Sequence, residues 1–318
     1  MPSPLHPDLL PLGRLLPRAS FTPRTLRLVR GLTGLRKAPQ LPRLDDVVTE
    51  DHAVPAPEGG RPVPVRVYRP AGGEGPVPAL LWLHGGGYII GDAYQDEKAN
   101  LALARAVGIA VVTVDYRLAP DDHFPAAVDD GLAALHWLHR TADELGVRSD
   151  RLAVGGASAG GGLAAGVVLA AHDRGEVPVA FQLLIYPMLD DRTVTRADLD
   201  DRHCRLWTAR SNHFGWSAYL GAEPGSDGVS PYAAPARREN LAGLPPAWIG
   251  VGTCDLFHDE DVTYADRLAD AGVACELHVT PGGYHAFNLL QPKAGVSRAF
   301  RASYFEALRA ALVDEPPA

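Results

Sequence analysis

Ser158 lies in the stretch Leu152-Ala-Val-Gly-Gly-Ala-Ser158-Ala-Gly-Gly-Gly-Leu163, and a second apolar run continues from there to Ala171. An apolar segment, a serine among glycines and another apolar segment read as a strand, a sharp turn and a buried helix. Gly156-Ala157-Ser158-Ala159-Gly160 matches G-x-S-x-G, a pattern that lifts a serine hydroxyl above the carboxyl end of a strand. Such a turn strains the serine backbone and tolerates only small neighbours, which Gly156 and Gly160 supply. The hydroxyl also stands at a helix N-terminus, where developing negative charge is favoured. Attack on an acyl carbon is the chemistry this suits. It requires three further parts: a base, an acid that orients the base, and donors for an oxyanion.

Downstream, a predicted strand at Trp248–Gly252 leads into Thr253-Cys254-Asp255, and another at Cys275–Thr280 leads into Pro281-Gly-Gly-Tyr284-His285. Asp255 and His285 therefore each follow a strand end, on the rim expected for Ser158 and in the chain order Ser, Asp, His. His285 is the expected base and Asp255 the expected acid. Asp259 is the alternative acid. It stands further from the strand end, in the acidic stretch Asp255-Leu-Phe-His-Asp259-Glu260-Asp261, whose later members suit a helix N-terminus. His258 precedes that helix and lacks a glycine turn to carry it across.

Upstream, His84-Gly85-Gly86-Gly87 directly follows the apolar run Val77–Leu83. Consecutive glycines let backbone N–H groups turn towards a substrate, so Gly86, Gly87 and Ala159 are the expected oxyanion donors. His136 and His139 lie one helical turn apart with no third ligand in view, so no metal site is expected. Neither G-x-G-x-x-G after a strand nor G-x-x-x-x-G-K-[ST] occurs, so nothing supports a dinucleotide or nucleoside-triphosphate site.

These groups need a frame. Val47–Val54 and Val63–Tyr68 alternate as strands around the turn Pro57–Gly60, and Val77–Leu83, Ile109–Val114 and Phe181–Tyr186 read as buried strands. Helical spacing covers about 96–107, the face Val128, Leu132, Leu135 and Leu138, then Val262–Leu268 and the last stretch, Phe300 to Leu312. Strands alternating with helices imply a mostly parallel sheet flanked by helices, with ligands at the carboxyl ends of its strands. Two stretches break this periodicity: residues 1–43 and about 190–232, the latter with Trp207, Trp216 and Tyr219.

A chain of 318 residues can bury a large core, and 46% hydrophobic with 21% charged residues suits an ordinary globular protein. The net charge of −8 argues against nucleic-acid binding. Residues 1–43 nevertheless hold eight bases, Arg30 among them, against Asp8 alone, a local +7. Prolines interrupt any long amphipathic helix there, so a flap folded over the main domain is expected rather than a membrane anchor. No run approaches the ~18 apolar residues of a transmembrane helix. Cys204, Cys254 and Cys275 make an odd count with no paired spacing; Cys275 in a predicted strand and Cys254 at a strand end read as reduced packing residues, and a cytoplasmic location is the default.

His84-Gly-Gly-Gly-Tyr88, Tyr116-Arg-Leu-Ala-Pro-Asp121, Phe124-Pro-Ala-Ala127, Gly156-Ala-Ser-Ala-Gly-Gly161 and His285-Ala-Phe287 together resemble, in order, the motifs of the hormone-sensitive lipase family (bacterial family IV) of esterases. The resemblance runs from about residue 45 to 315. It implies an α/β-hydrolase fold in one domain, 44–318, with a helical cap built from residues 1–43 and an insertion at about 190–232. It also implies a serine carboxylesterase with the triad Ser158, Asp255 and His285, the oxyanion hole Gly86, Gly87 and Ala159, and no cofactor or metal. The expected partner is a small-molecule ester of short to medium acyl chain, with homodimer formation left open. Ala157, Leu256 and Ala286 depart from the residues frequent in the family (Asp or Thr, Pro, and Gly). An amidase, lactonase or thioesterase would use the same residues. The alternative from another class is a non-catalytic small-molecule receptor, like the plant gibberellin receptors that the family also resembles; those lack the histidine that His285 supplies here.

Overall fold

The computed structural model describes residues 4–18, 20–33, 44–55, 60–72 and 75–314. Residues 34–43, with Arg36, Lys37 and Arg43 of the basic segment, and all but Gly60 of the predicted turn Pro57–Gly60 lie outside them. Eight strands form one sheet: β1 (Val47–Val54), β2 (Val63–Pro70), β3 (Val77–Leu83), β4 (Ala110–Val114), β5 (Val147–Ala157), β6 (Phe181–Ile185), β7 (Ala247–Cys254) and β8 (Cys275–Tyr284). Their spatial order is β1-β2-β4-β3-β5-β6-β7-β8. β1 pairs with β2, and β2 with β4, antiparallel; every other pairing is parallel. This is the α/β-hydrolase architecture.

The strand sequences explain the layering. Successive side chains point to opposite faces, so an apolar run serves a sheet covered on both sides. In β3, Ala79, Leu81 and Leu83 join one core cluster, while Leu80 and Trp82 join the other. The first cluster packs α4 (Ala126–Arg140), α5 (Ala159–Arg174) and α7 (His258–Asp270); the second packs α3 (Glu97–Leu103) and α9 (Gly295–Leu312). α5 is buried at every position from Ala159 to Ala171, which is why that stretch is apolar on every side.

Several elements differ from the sequence expectation. The helix predicted over 96–107 is α3 followed by one π-helical turn, Ala104–Gly108. β5 begins at Val147, five residues before Leu152. β8 does not stop at Thr280. It runs through Pro281-Gly-Gly to Tyr284, with a register shift against β7 between Gly252 and Cys254.

Two stretches read as aperiodic contain helices. α1 (Leu10–Gly13) and α2 (Pro23–Thr33) lie in the N-terminal segment, and α6 (Ala209–Leu220) lies in the insertion; a short α8 (Phe287–Leu290) precedes α9. Pro23 opens α2, where its missing N–H costs nothing. Thr208 caps α6 by accepting from the N–H of Ser211, and Gly221 ends it in the left-handed conformation.

The N-terminal segment and the insertion touch. Leu206 N–H donates to Pro17 O, Arg205 Nε to Gly13 O and Phe21 N–H to Ser211 Oγ, and Arg18 pairs with Asp201. Cys204 and Cys254 are buried and Cys275 is partly buried, all three as free thiols. Burial pushes the Cys204 thiol up to about 12, consistent with an inert packing group.

Candidate active site

Ser158 sits between the end of β5 and the first residue of α5, with φ 58° and ψ −124°. A non-glycine residue rarely adopts this conformation, and it is over-determined here. The Ser158 N–H donates to Ile185 O at 2.9 Å, and its carbonyl accepts from Gly162 N–H and Met188 N–H, each at 3.0 Å. The turn also forces small neighbours: a Cβ on Gly160 would stand 2.1 Å from Leu83 O, at the root of the glycine loop.

The structure brings Ser158, His285 and Asp255 together. His285 Nε2 lies 2.9 Å from Ser158 Oγ, and His285 Nδ1 lies 2.8 Å from Asp255 Oδ2. The other oxygen of Asp255 accepts from Phe257 N–H at 3.2 Å. All three side chains are buried, so their hydrogen bonds compete little with water. The His285 ring is flanked edge to face by Tyr186, centroids 4.9 Å apart, and by Phe257 at 5.3 Å. Tyr186 is itself held by its hydroxyl, which donates to Asn288 Oδ1 at 3.0 Å.

The glycine loop approaches Ser158 from the other side. β3 neighbours β5 in the sheet, and a Cβ on Gly85 would stand 3.4 Å from Ser158 Cβ, so the loop passes beside the serine. Gly86 and Gly87 have φ of +130° and +60°. Gly86 O accepts from the N–H groups of Ile89 and Ile90, closing a tight turn. The Ala159 N–H opens α5, where no intrahelical acceptor exists for it. Beneath the loop, His84 stacks on Tyr116 with centroids 4.1 Å apart, and burial pushes its imidazole pKa down to about 4. A glycine loop beside a strained serine and a hydrogen-bonded His–Asp pair form an arrangement that can run acyl transfer.

The alpha/beta hydrolase fold family model matches residues 80–289. Carboxylic ester hydrolase LipN of Mycobacterium tuberculosis is 38% identical over 268 residues, covering 82% of this chain and 70% of LipN. Carboxylesterase NlhH of the same species is 34% identical over 308 residues, covering 92% and 94% of the two chains. The chain belongs to the hormone-sensitive-lipase-like esterases of the α/β-hydrolase fold. Among solved structures, a bacterial heroin esterase superimposes with a TM-score of 0.88 at 40% identity over 98% of this chain and 99% of its own. Esterase LipW from Mycobacterium marinum gives 0.86 at 36%, over 98% and 97%. This protein is a carboxylic ester hydrolase.

Other candidates in the esterase are placed elsewhere. Asp259 pairs with Arg196 at 3.0 Å and with its neighbour His258 at 2.9 Å, away from His285. His136 pairs with Glu176. Among the described residues no cluster of three or more His, Cys, Asp or Glu side chains could hold a metal, and no helix is long and apolar enough to cross a membrane.

Of Trp207, Trp216 and Tyr219, Trp207 reaches the glycine loop. A Cβ on Gly87 would stand 2.1 Å from Trp207 Cη2, so the indole lies directly on this residue. Its Nε1 donates to Asn212 Oδ1 at 3.0 Å, and Phe21 of the N-terminal segment packs on it at 5.8 Å. Trp216 and Tyr219 are instead fully buried against Tyr88, with Tyr219 stacked on it at 4.0 Å. They serve packing, because their positions on α6 turn them towards the core. Ala286 takes φ +60° just after His285, a left-handed position where glycine would be unstrained.

The sequence reading missed Tyr186, Phe257 and Asn288. Tyr186 carried one signal, its place on the strand-end rim after β6. Glu260 was read only as helix-end charge. It is buried and accepts from Leu189 N–H at 2.7 Å and from the Thr193 hydroxyl, tying the start of the insertion to α7. Burial holds its carboxyl well above the usual carboxylate range.

Proposed function

We propose that this esterase hydrolyses short- to medium-chain acyl esters through Ser158, His285 and Asp255, with the backbone N–H groups of Gly86, Gly87 and Ala159 holding the oxyanion. The observation that carries this is the continuous hydrogen-bond chain from Ser158 Oγ through His285 to Asp255. Ser158 Oγ attacks the ester carbonyl carbon while His285 Nε2 takes its proton. The carbonyl oxygen becomes an oxyanion facing the glycine loop. As it collapses, the bond to the alkoxy group breaks, His285 returns the proton to the departing alcohol, and an acyl-Ser158 ester remains. A water then gives its proton to His285, attacks the acyl carbon and releases the carboxylic acid, with the proton returned to Ser158. Asp255 holds the imidazole tautomer that leaves Nε2 free to accept, and its charge stabilises the imidazolium.

The described N-terminal residues, 4–18 and 20–33, and the insertion at about 190–232 form a cap over the main domain. Support comes from the contacts that join the N-terminal segment to the insertion, Arg205 to Gly13 and Phe21 to Ser211, and from the seat of Trp207 on Gly87. A large aromatic lying on the loop leaves less room for an extended acyl chain, which favours short ones. The test is hydrolysis of p-nitrophenyl esters from acetyl to palmitoyl. A rate maximum between acetyl and hexanoyl supports the reading, and a maximum at palmitoyl overturns its chain-length part.

A further inference from the structure

Arg30 occupies an unusual place for a residue of the basic N-terminal segment. It points inward from α2, and its side chain is 25% exposed. Its Nε donates to Ile89 O at 2.8 Å, Nη2 donates to Ala119 O, and Nη1 meets Asp121 Oδ2 at 2.6 Å. Asp121 is largely exposed, so that ion pair contributes little. The two carbonyl bonds are part-buried and charge-assisted, and they are the strong part of the contact.

What the guanidinium grips is the far side of the glycine turn. Gly86 O accepts from Ile89 and Ile90 N–H, so the peptide that carries Ile89 O and Ile90 N–H is tied directly to the Gly86–Gly87 peptide. Ala119 N–H donates to Tyr88 O at 3.0 Å, which ties the loop between β4 and α4 to the same turn. Arg30 therefore bridges both sides of this pairing, Ile89 and Ala119, from a helix that belongs to neither. Two glycines with positive φ have little intrinsic preference for one conformation, and an oxyanion donor displaced by even a fraction of an ångström loses much of its effect.

We propose that Arg30 is a positioning residue that sets the oxyanion turn from the N-terminal helix. It holds the Gly86 and Gly87 N–H groups in register with Ser158 without touching the substrate. This rests on the reading of Gly86 and Gly87 as oxyanion donors. It also gives the N-terminal segment a task beyond covering the site: the turn is complete only when α2 is docked.

The test uses the full chain and two substitutions, Arg30→Met, which keeps an apolar stem, and Arg30→Lys, which can reach one carbonyl. Turnover of p-nitrophenyl butyrate and inhibition by a trifluoromethyl ketone, which forms an oxyanion on Ser158, are measured below the melting range of each variant. Leu26→Ala, a buried position on the same helix, is the control for loosened packing. Arg30→Met is expected to lower kcat about 10- to 100-fold with KM within about twofold, and to weaken the ketone by a similar factor. Arg30→Lys should recover part of both, and Leu26→Ala should lose thermal stability without the kcat loss. If Arg30→Met destabilises too far to assay, Arg30→Lys against Leu26→Ala at matched melting temperature decides the matter. Wild-type kcat in Arg30→Met, or equal kcat losses in Arg30→Lys and Leu26→Ala, overturns the proposal, as does a raised KM with kcat intact. Ser158→Ala separates the two readings: if it is inactive while Arg30→Met keeps full kcat, only the positioning role fails.

Discussion

Asp255 and Asp259 stand four residues apart and face different partners: Asp255 Oδ2 meets His285 Nδ1 at 2.8 Å, whereas Asp259 meets Arg196 at 3.0 Å. Asp255 is at the end of β7, buried, and on the rim of Ser158; Asp259 is in the first turn of α7, with 60% of its side chain exposed.

Asp255→Asn is therefore expected to lower kcat by orders of magnitude, about 10⁴-fold, because the amide can stabilise the wrong imidazole tautomer. Asp259→Asn should stay within a few-fold of the parent. Steady-state kinetics on p-nitrophenyl butyrate compare the two, and the reverse ranking would assign the acid to Asp259.

Trp207→Ala removes the indole that lies on Gly87. The ratio of kcat/KM for decanoyl over butyryl esters is expected to rise about tenfold, with the alcohol moiety held constant. An unchanged ratio would separate Trp207 from the acyl path.

His84 links the glycine loop to acid stability. It is buried, and its pKa falls from 6.5 to about 4. The unfolded chain therefore binds a proton between these values that the folded chain does not, so stability is full above about 6.5 and declines as pH falls towards 4. The contribution is about 3 kcal/mol at most. Glu260 and Asp261, raised by burial, act with the opposite sign, but they are common to both proteins in a comparison with His84→Gln. Urea unfolding at pH 7, 5.5 and 4.5 should show the wild type losing stability that His84→Gln retains. Parallel losses would mean that His84 is already neutral in the unfolded chain or charged in the fold.

Much of the frame is legible in the sequence because a sheet covered on both faces demands apolar runs, and β3, β4 and β6 are just such runs. The order of Ser158, Asp255 and His285 was readable for a related reason: each follows a strand end, and parallel strands bring their carboxyl ends to one rim. α6 was not readable. Its buried side includes Ser211, Asn212 and Gly215, so no apolar stripe marks it. α2 was hidden in a different way. One of its inward-facing residues is Arg30, whose partners are backbone carbonyls 59 and 89 residues away. A cation that serves carbonyls looks, in sequence, like one more surface charge. Trp207 and Trp216 read alike, and only the pitch of the chain around α6 sends one to Gly87 and the other to Tyr88.

The central claim is tested most directly by Ser158→Ala, assayed on p-nitrophenyl butyrate with circular dichroism and a melting curve alongside. A small residue suits the turn, so the fold should persist. The account predicts that turnover falls by at least about 10⁴-fold while the melting temperature stays within a few degrees of the parent. Full turnover by the folded, purified variant would contradict a serine mechanism.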